Sequence, residues 1–98
     1  MFALVLVNGA SFAAEMERGI VVVGERGCEK RGRIVINTNN GFVIAEVYTG
    51  IFDKGDRVIG DLKSYGLHDV LVNNSTGSVY IDAYWVSKSR AVAKCFER

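Results

Sequence analysis

Six short runs rich in β-branched residues, separated by glycine- and asparagine-rich breaks, constrain this chain more than any other feature. They are IVVVG (20–24), RIVINT (33–38), FVIAEVY (42–48), DRVIGDL (56–62), DVLV (69–72) and SVYIDAYWV (78–86). Val, Ile, Thr and the aromatics pack well on a pleated surface, and runs of this length bounded by turn residues predict strands. NTNNG, between the second and third runs, predicts a hairpin with Gly41 at positive φ. NNSTG predicts another between the fifth and sixth, and Lys54-Gly55-Asp56 a turn before the fourth. Proline is absent, so glycine and asparagine do all the punctuation. Five or six strands at this spacing predict a mainly β fold, a small barrel or rolled antiparallel sheet of OB-like or SH3-like kind. Closure into a barrel removes the unpaired edges that invite aggregation.

Period-2 alternation assigns the faces. Val79, Ile81, Ala83 and Trp85 fall on one side of the last run, with Tyr80, Asp82 and Tyr84 on the other. In the third run Val43, Ala45 and Val47 oppose Phe42, Ile44, Glu46 and Tyr48. The first set in each predicts the core, so truncating Trp85 is expected to cost far more than truncating Tyr84. The C-terminal SKSRAVAKCFER (87–98) reads as a short helix, with Ser87 as N-cap and Ala91/Cys95 and Val92/Phe96 as i,i+4 pairs. A further strand is the alternative, because the same letters also alternate; Ala and Lys favour the helix.

Residues 2–7 (FALVLV) are apolar, and small residues precede the first charge at Glu15. Ser11 and Ala13 occupy the −3 and −1 places for cleavage before Ala14, so 1–13 reads as a truncated signal segment and 14–98 as a single β-rich domain. No Lys or Arg precedes Arg18, which leaves FALVLV as a buried first strand as the alternative. Export predicts a periplasmic or secreted protein; the strand reading predicts a cytoplasmic one. Two cysteines, Cys28 and Cys95, allow one intramolecular bond, which suits the exported reading. That bond closes most of the chain and adds about 4 kcal/mol in the loop-entropy treatment. A chain this short buries only about 60–65% of its unfolded surface, so the staple is useful. No stretch reaches the roughly 18 apolar residues of a membrane-spanning helix.

Net charge is +1, which gives no electrostatic case for nucleic acid or an anionic membrane. The one local excess, Arg26, Lys30, Arg31 and Arg33 against Glu25 and Glu29, reads as a solvated loop. Catalytic signals are weak. His68 stands beside Asp69, but neighbours on an extended segment point opposite ways; Ser64 is four residues off with no triad signature. Asp53, Asp56 and Asp61 are too dispersed for a calcium loop, and with Lys54 and Arg57 among them they read as surface salt bridges. Two cysteines and one histidine lack zinc spacing, and the glycines form no phosphate loop. No cofactor is expected. The aromatics are the promising surface. Tyr48, Tyr80 and Tyr84 lie opposite the expected core, with Phe52 and Tyr65 in adjoining loops, and outward tyrosines suit recognition. Burial of that face under the C-terminal helix would make them second-layer core instead.

KGDRVIGDL, the hairpin NSTGSVYID and Trp85, spanning about residues 54–86, together resemble bacterial exported OB-fold proteins. The resemblance implies a barrel with a Gly-Asp turn and a late strand of the D-x-x-G-x-I-x-V-x-I kind; it is one of shape and carries no function. The expected function is a non-catalytic exported β-domain binding a protein or cell-envelope component. An OB-like oligosaccharide or nucleic-acid module, with aromatics as stacking platforms, is the second reading. A small hydrolase or thiol enzyme, with Cys28 activated by Arg26 and Lys30, is the third.

Overall fold

The computed structural model describes residues 16–98, so the expectations for residues 1–13 lie outside the described residues. Six strands form: β1 (Glu17–Val23), β2 (Arg33–Thr38), β3 (Gly41–Thr49), β4 (Arg57–Gly60), β5 (Gly66–Val72) and β6 (Ser75–Val86). One helix, α1 (Lys88–Cys95), follows. The strands make two meanders, β1-β2-β3 and β4-β5-β6, joined by β3–β6 and β1–β4 pairing into a closed barrel in which every neighbour is antiparallel.

The hairpins follow the turn chemistry. Gly41 takes φ +134° after the Asn39-Asn40 turn, which is held by Asn40 N–H donating to Thr38 Oγ1 at 3.1 Å. Asn73 and Asn74 both adopt positive φ (49° and 69°), giving the two-residue turn whose twist matches β5 and β6.

Apolar residues divide into two cores. The barrel interior holds Val21, Ile34, Ile36, Val43, Ala45, Val58, Val79 and Ile81, all fully buried. A second core lies outside the barrel, beneath α1, where Val35, Ile44 and Ala83 meet Ala91, Cys28 and Cys95. Strand β2 therefore buries alternate residues on both faces, which is why Ile34-Val35-Ile36 is a continuous apolar run rather than an alternating one.

Helix α1 starts where Ser87 caps it, its Oγ accepting from Arg90 N–H at 3.3 Å. Of the two expected i,i+4 pairs, Ala91/Cys95 is the buried one; Val92 and Phe96 stay exposed. A Cys28–Cys95 disulfide pins the helix to the β1–β2 loop, with Cα atoms 4.7 Å apart. Arg33, in β2 and nearly buried, donates through Nη1 to the carbonyls of Lys94 (2.9 Å) and Glu97 (2.7 Å). It thus satisfies carbonyl groups that a helix end leaves free and sets a positive charge against its dipole.

The alternation expected for β6 breaks at Asp82. Ala45 pairs with Ile81 and Ile44 with Ala83, so β6 gains a residue and changes phase. Ala83 therefore leaves the interior for the outer core, and Tyr84 packs against the barrel core. Trp85, expected in the core, is 46% exposed. Ile44, expected outside, is buried, because α1 covers that face. Phe52, expected as a surface contact, is fully buried: the β3–β4 loop folds it into the barrel end against Gly77.

Candidate functional site

One end of the barrel gathers the start of β1, the β2–β3 turn, the start of β5 and the end of β6. Between Ile44 and Phe42, β6 advances from Ala83 to Val86, so a second irregularity carries Tyr84 and Trp85. Trp85 sits at φ +56°, a conformation that costs a bulky residue energy. Gly41 makes room for it: a Cβ there would lie 2.8 Å from the Trp85 Cα.

The result is a stepped aromatic rim. The Tyr65 and Tyr84 rings have centroids 5.0 Å apart, and Tyr84 meets Trp85 edge-on at 5.8 Å. Both separations are within the favourable range for aromatic pairs. Tyr84 is rooted in the interior, whereas Tyr65 is 67% exposed. The Trp85 indole N–H donates to Glu17 Oε2 at 3.1 Å, and Asn40 Nδ2 donates to the same oxygen at 2.7 Å. Ring faces are thus offered to solvent while their orientation is fixed, a combination that lowers the ordering cost of binding.

Of the five residues expected to bind, Tyr65 and Tyr84 come together here. Tyr80 stands on the barrel wall between Glu46 and Leu67, and Tyr48, highly exposed, lies toward the opposite end. Phe52 belongs to the core. Trp85, Glu17 and Asn40 were not among the expected site residues. The Trp85 signal was hidden by the β6 bulges, which strict alternation cannot register.

Other polar clusters have distinct geometry. Ser64 Oγ donates to Asp61 Oδ2 at 2.9 Å, and His68 Nε2 lies 3.0 Å from that Oγ and 3.1 Å from the Ser64 carbonyl oxygen. With the Ser64 hydroxyl donating to Asp61, Nε2–H can donate to both Ser64 oxygens; the carboxylate does not orient the imidazole as it does in a hydrolytic triad. Asp56 accepts from Asp53 N–H and Asn73 Nδ2, both at 2.8 Å. Asp56 and Asp61 hold turns, and among the described residues none of the three aspartates makes the expected salt bridge to Lys54 or Arg57. Among the described residues no three His, Cys, Asp or Glu side chains gather as a metal site. Cys28 is disulfide-bonded, so no thiolate stands beside Arg26 and Lys30.

On the wall, Glu46 accepts from Lys30 Nζ at 3.1 Å, with Arg33 Nη2 at 3.8 Å. The hydrogen bond from Lys30 holds its carboxyl below the usual range. Its neighbour Asp82 is pushed up, first by burial and then by Glu46. No helix among the described residues is long and apolar enough to cross a membrane. Compared with protein-family models, curated proteins and solved structures, the chain gives no significant match.

Proposed function

We propose that this chain is a non-catalytic, exported β-barrel domain that binds a protein or cell-envelope component at the Tyr65–Tyr84–Trp85 rim. The observation that carries the reading is the rim itself. Three aromatic rings stand in contact, two of them well exposed, and at one of those two, Trp85, the backbone is held in an unfavourable conformation. Strain of this kind concentrates at recognition sites. The disulfide supports export, since such bonds persist in oxidising compartments.

A photo-crosslinking residue placed at Met16, exposed and adjoining Glu17, tests the rim in cells of the source organism; the same residue at Asp53, at the opposite barrel end, is the control. Discrete adducts from position 16 that vanish with Trp85→Ala are expected. Identical adducts from both positions, or adducts indifferent to Trp85→Ala, would overturn the proposal. An oligosaccharide is the second reading, because exposed ring faces are general stacking platforms. Net charge +1 counts against nucleic acid, whose binding would fall steeply with salt.

A further inference from the structure

The outer wall formed by β1, β4 and β5 carries an open groove of about 690 Å³. It lies outside the aromatic rim and runs from the Asn39 turn at that end to the Asn73-Asn74 turn at the other. Strand register places Arg18 opposite Ile59 and Ile20 opposite Arg57. The two arginines are therefore diagonal neighbours on one face, close enough for long side chains to act together. Both are exposed, and neither forms an ion pair among the described residues. No Asp or Glu lines the groove. Asp56, adjacent to Arg57 in sequence, is engaged by its own turn and by Asn73.

Exposed and diagonal, the two like charges repel only weakly, and with no carboxylate beside them among the described residues the partner they suit is an anion from outside. A guanidinium fork matches the two oxygens of a carboxylate or of a sulfate or phosphate ester. Asn37 and Asn74 contribute amides that both donate and accept, the pairing that hydroxyl groups require. Ile20 and Leu71, 41% and 44% exposed, supply an apolar floor. Anionic groups, many hydroxyls and flat apolar ring faces occur together in acidic sugars. A nucleic acid would call for a broader basic surface than a chain of net charge +1 carries.

We propose that this groove binds an anionic oligosaccharide, with Arg18 and Arg57 on its acidic groups and the asparagine amides on its hydroxyls. Calorimetric titration of the whole chain with an oligogalacturonate, a heparin-derived hexasaccharide, neutral cellohexaose and oligothymidylate tests it. Binding of an acidic sugar without binding of cellohexaose is expected, with the uronate and the sulfated sugar distinguishing carboxylate from sulfate recognition. Affinity should fall at least about tenfold in the double variant R18Q/R57Q, whose melting curve should match the parent's because both side chains are exposed. R18K/R57K should bind between the two, keeping charge but losing the fork. Trp85→Ala should leave this affinity unchanged, which separates the groove from the rim. Four results would overturn the proposal: equal binding of cellohexaose, no binding of either acidic sugar, unaltered binding by R18Q/R57Q, or tighter binding of oligothymidylate.

Discussion

Trp85 concentrates the local conflicts of this structure. Its backbone is at φ +56°, its ring is half in solvent, and its indole N–H is spent on Glu17. A left-handed conformation costs an L-residue roughly 1–2 kcal/mol, a cost that glycine escapes. Trp85→Gly should therefore be less destabilising than Trp85→Ala, by about 1 kcal/mol, although glycine removes more side chain. Tyr84→Ala should cost more than either, about 2–3 kcal/mol, because that ring packs on the barrel core. Urea midpoints of the three variants, with unchanged m-values, check the order. A Trp85→Ala cost above that of Tyr84→Ala would restore Trp85 to the interior.

Helix α1 owes its place to groups far away in sequence. The Cys28–Cys95 bond spans 67 residues, Glu29 N–H donates to the Cys95 carbonyl at 2.8 Å, and Arg33 reaches the Lys94 and Glu97 carbonyls. Because the outer core is separate from the barrel interior, these ties hold the helix more than they hold the strands. Cys28→Ser/Cys95→Ser should lower stability by about 2–4 kcal/mol. Amide exchange should quicken across residues 88–95 well before it does in β2 or β3; uniform acceleration would mean that the barrel needs the bond as much as the helix does. Arg33→Met should give the same exchange pattern with the disulfide intact. Such ties differ in how far the sequence exposes them. The disulfide was legible because two cysteines allow one pairing, and the hairpins because Asn-Gly chemistry is local. Arg33 reads as part of a solvated basic loop, because its partners lie 61 and 64 residues on and are backbone atoms with no sequence signature. The Asp82 bulge was invisible for a related reason: a bulge is a property of two paired strands, and alternation is counted along one. That single omission misplaced Ala83, Tyr84 and Trp85, the last two being two of the rim's three rings.

At the scale of the whole molecule, net charge +1 leaves little self-repulsion at neutral pH, and because positive charge builds up in every variant as acid neutralises the carboxylates, comparing variants isolates the contribution of particular groups. Asp82 and Glu46 are the pair to watch, because their shifts run in opposite directions. Glu46 is held down, first by the hydrogen bond from Lys30. Its contribution is present above the unfolded carboxylate value of about 4.3 and is lost as pH falls through its lowered folded value. Asp82 is pushed up, first by burial and then by Glu46. Its contribution is full below the unfolded value of about 3.9 and is lost as pH rises through the raised folded value. At neutral pH the folded protein therefore carries an ionised Asp82 that it would hold more comfortably protonated. Asp82→Asn removes that charge while keeping a group able to donate to Glu46. The variant should have a higher urea midpoint than the parent at neutral pH. Its advantage should shrink as pH falls through the raised folded value of Asp82 and be gone below the unfolded value of about 3.9, where the parent's Asp82 is itself neutral. Glu46→Gln should behave oppositely, destabilising at neutral pH because Lys30 and the nearly buried Arg33 lose their counter-charge. Midpoints measured across that pH range decide it: a constant Asp82→Asn advantage would mean that packing at the bulge, rather than charge, separates the two proteins.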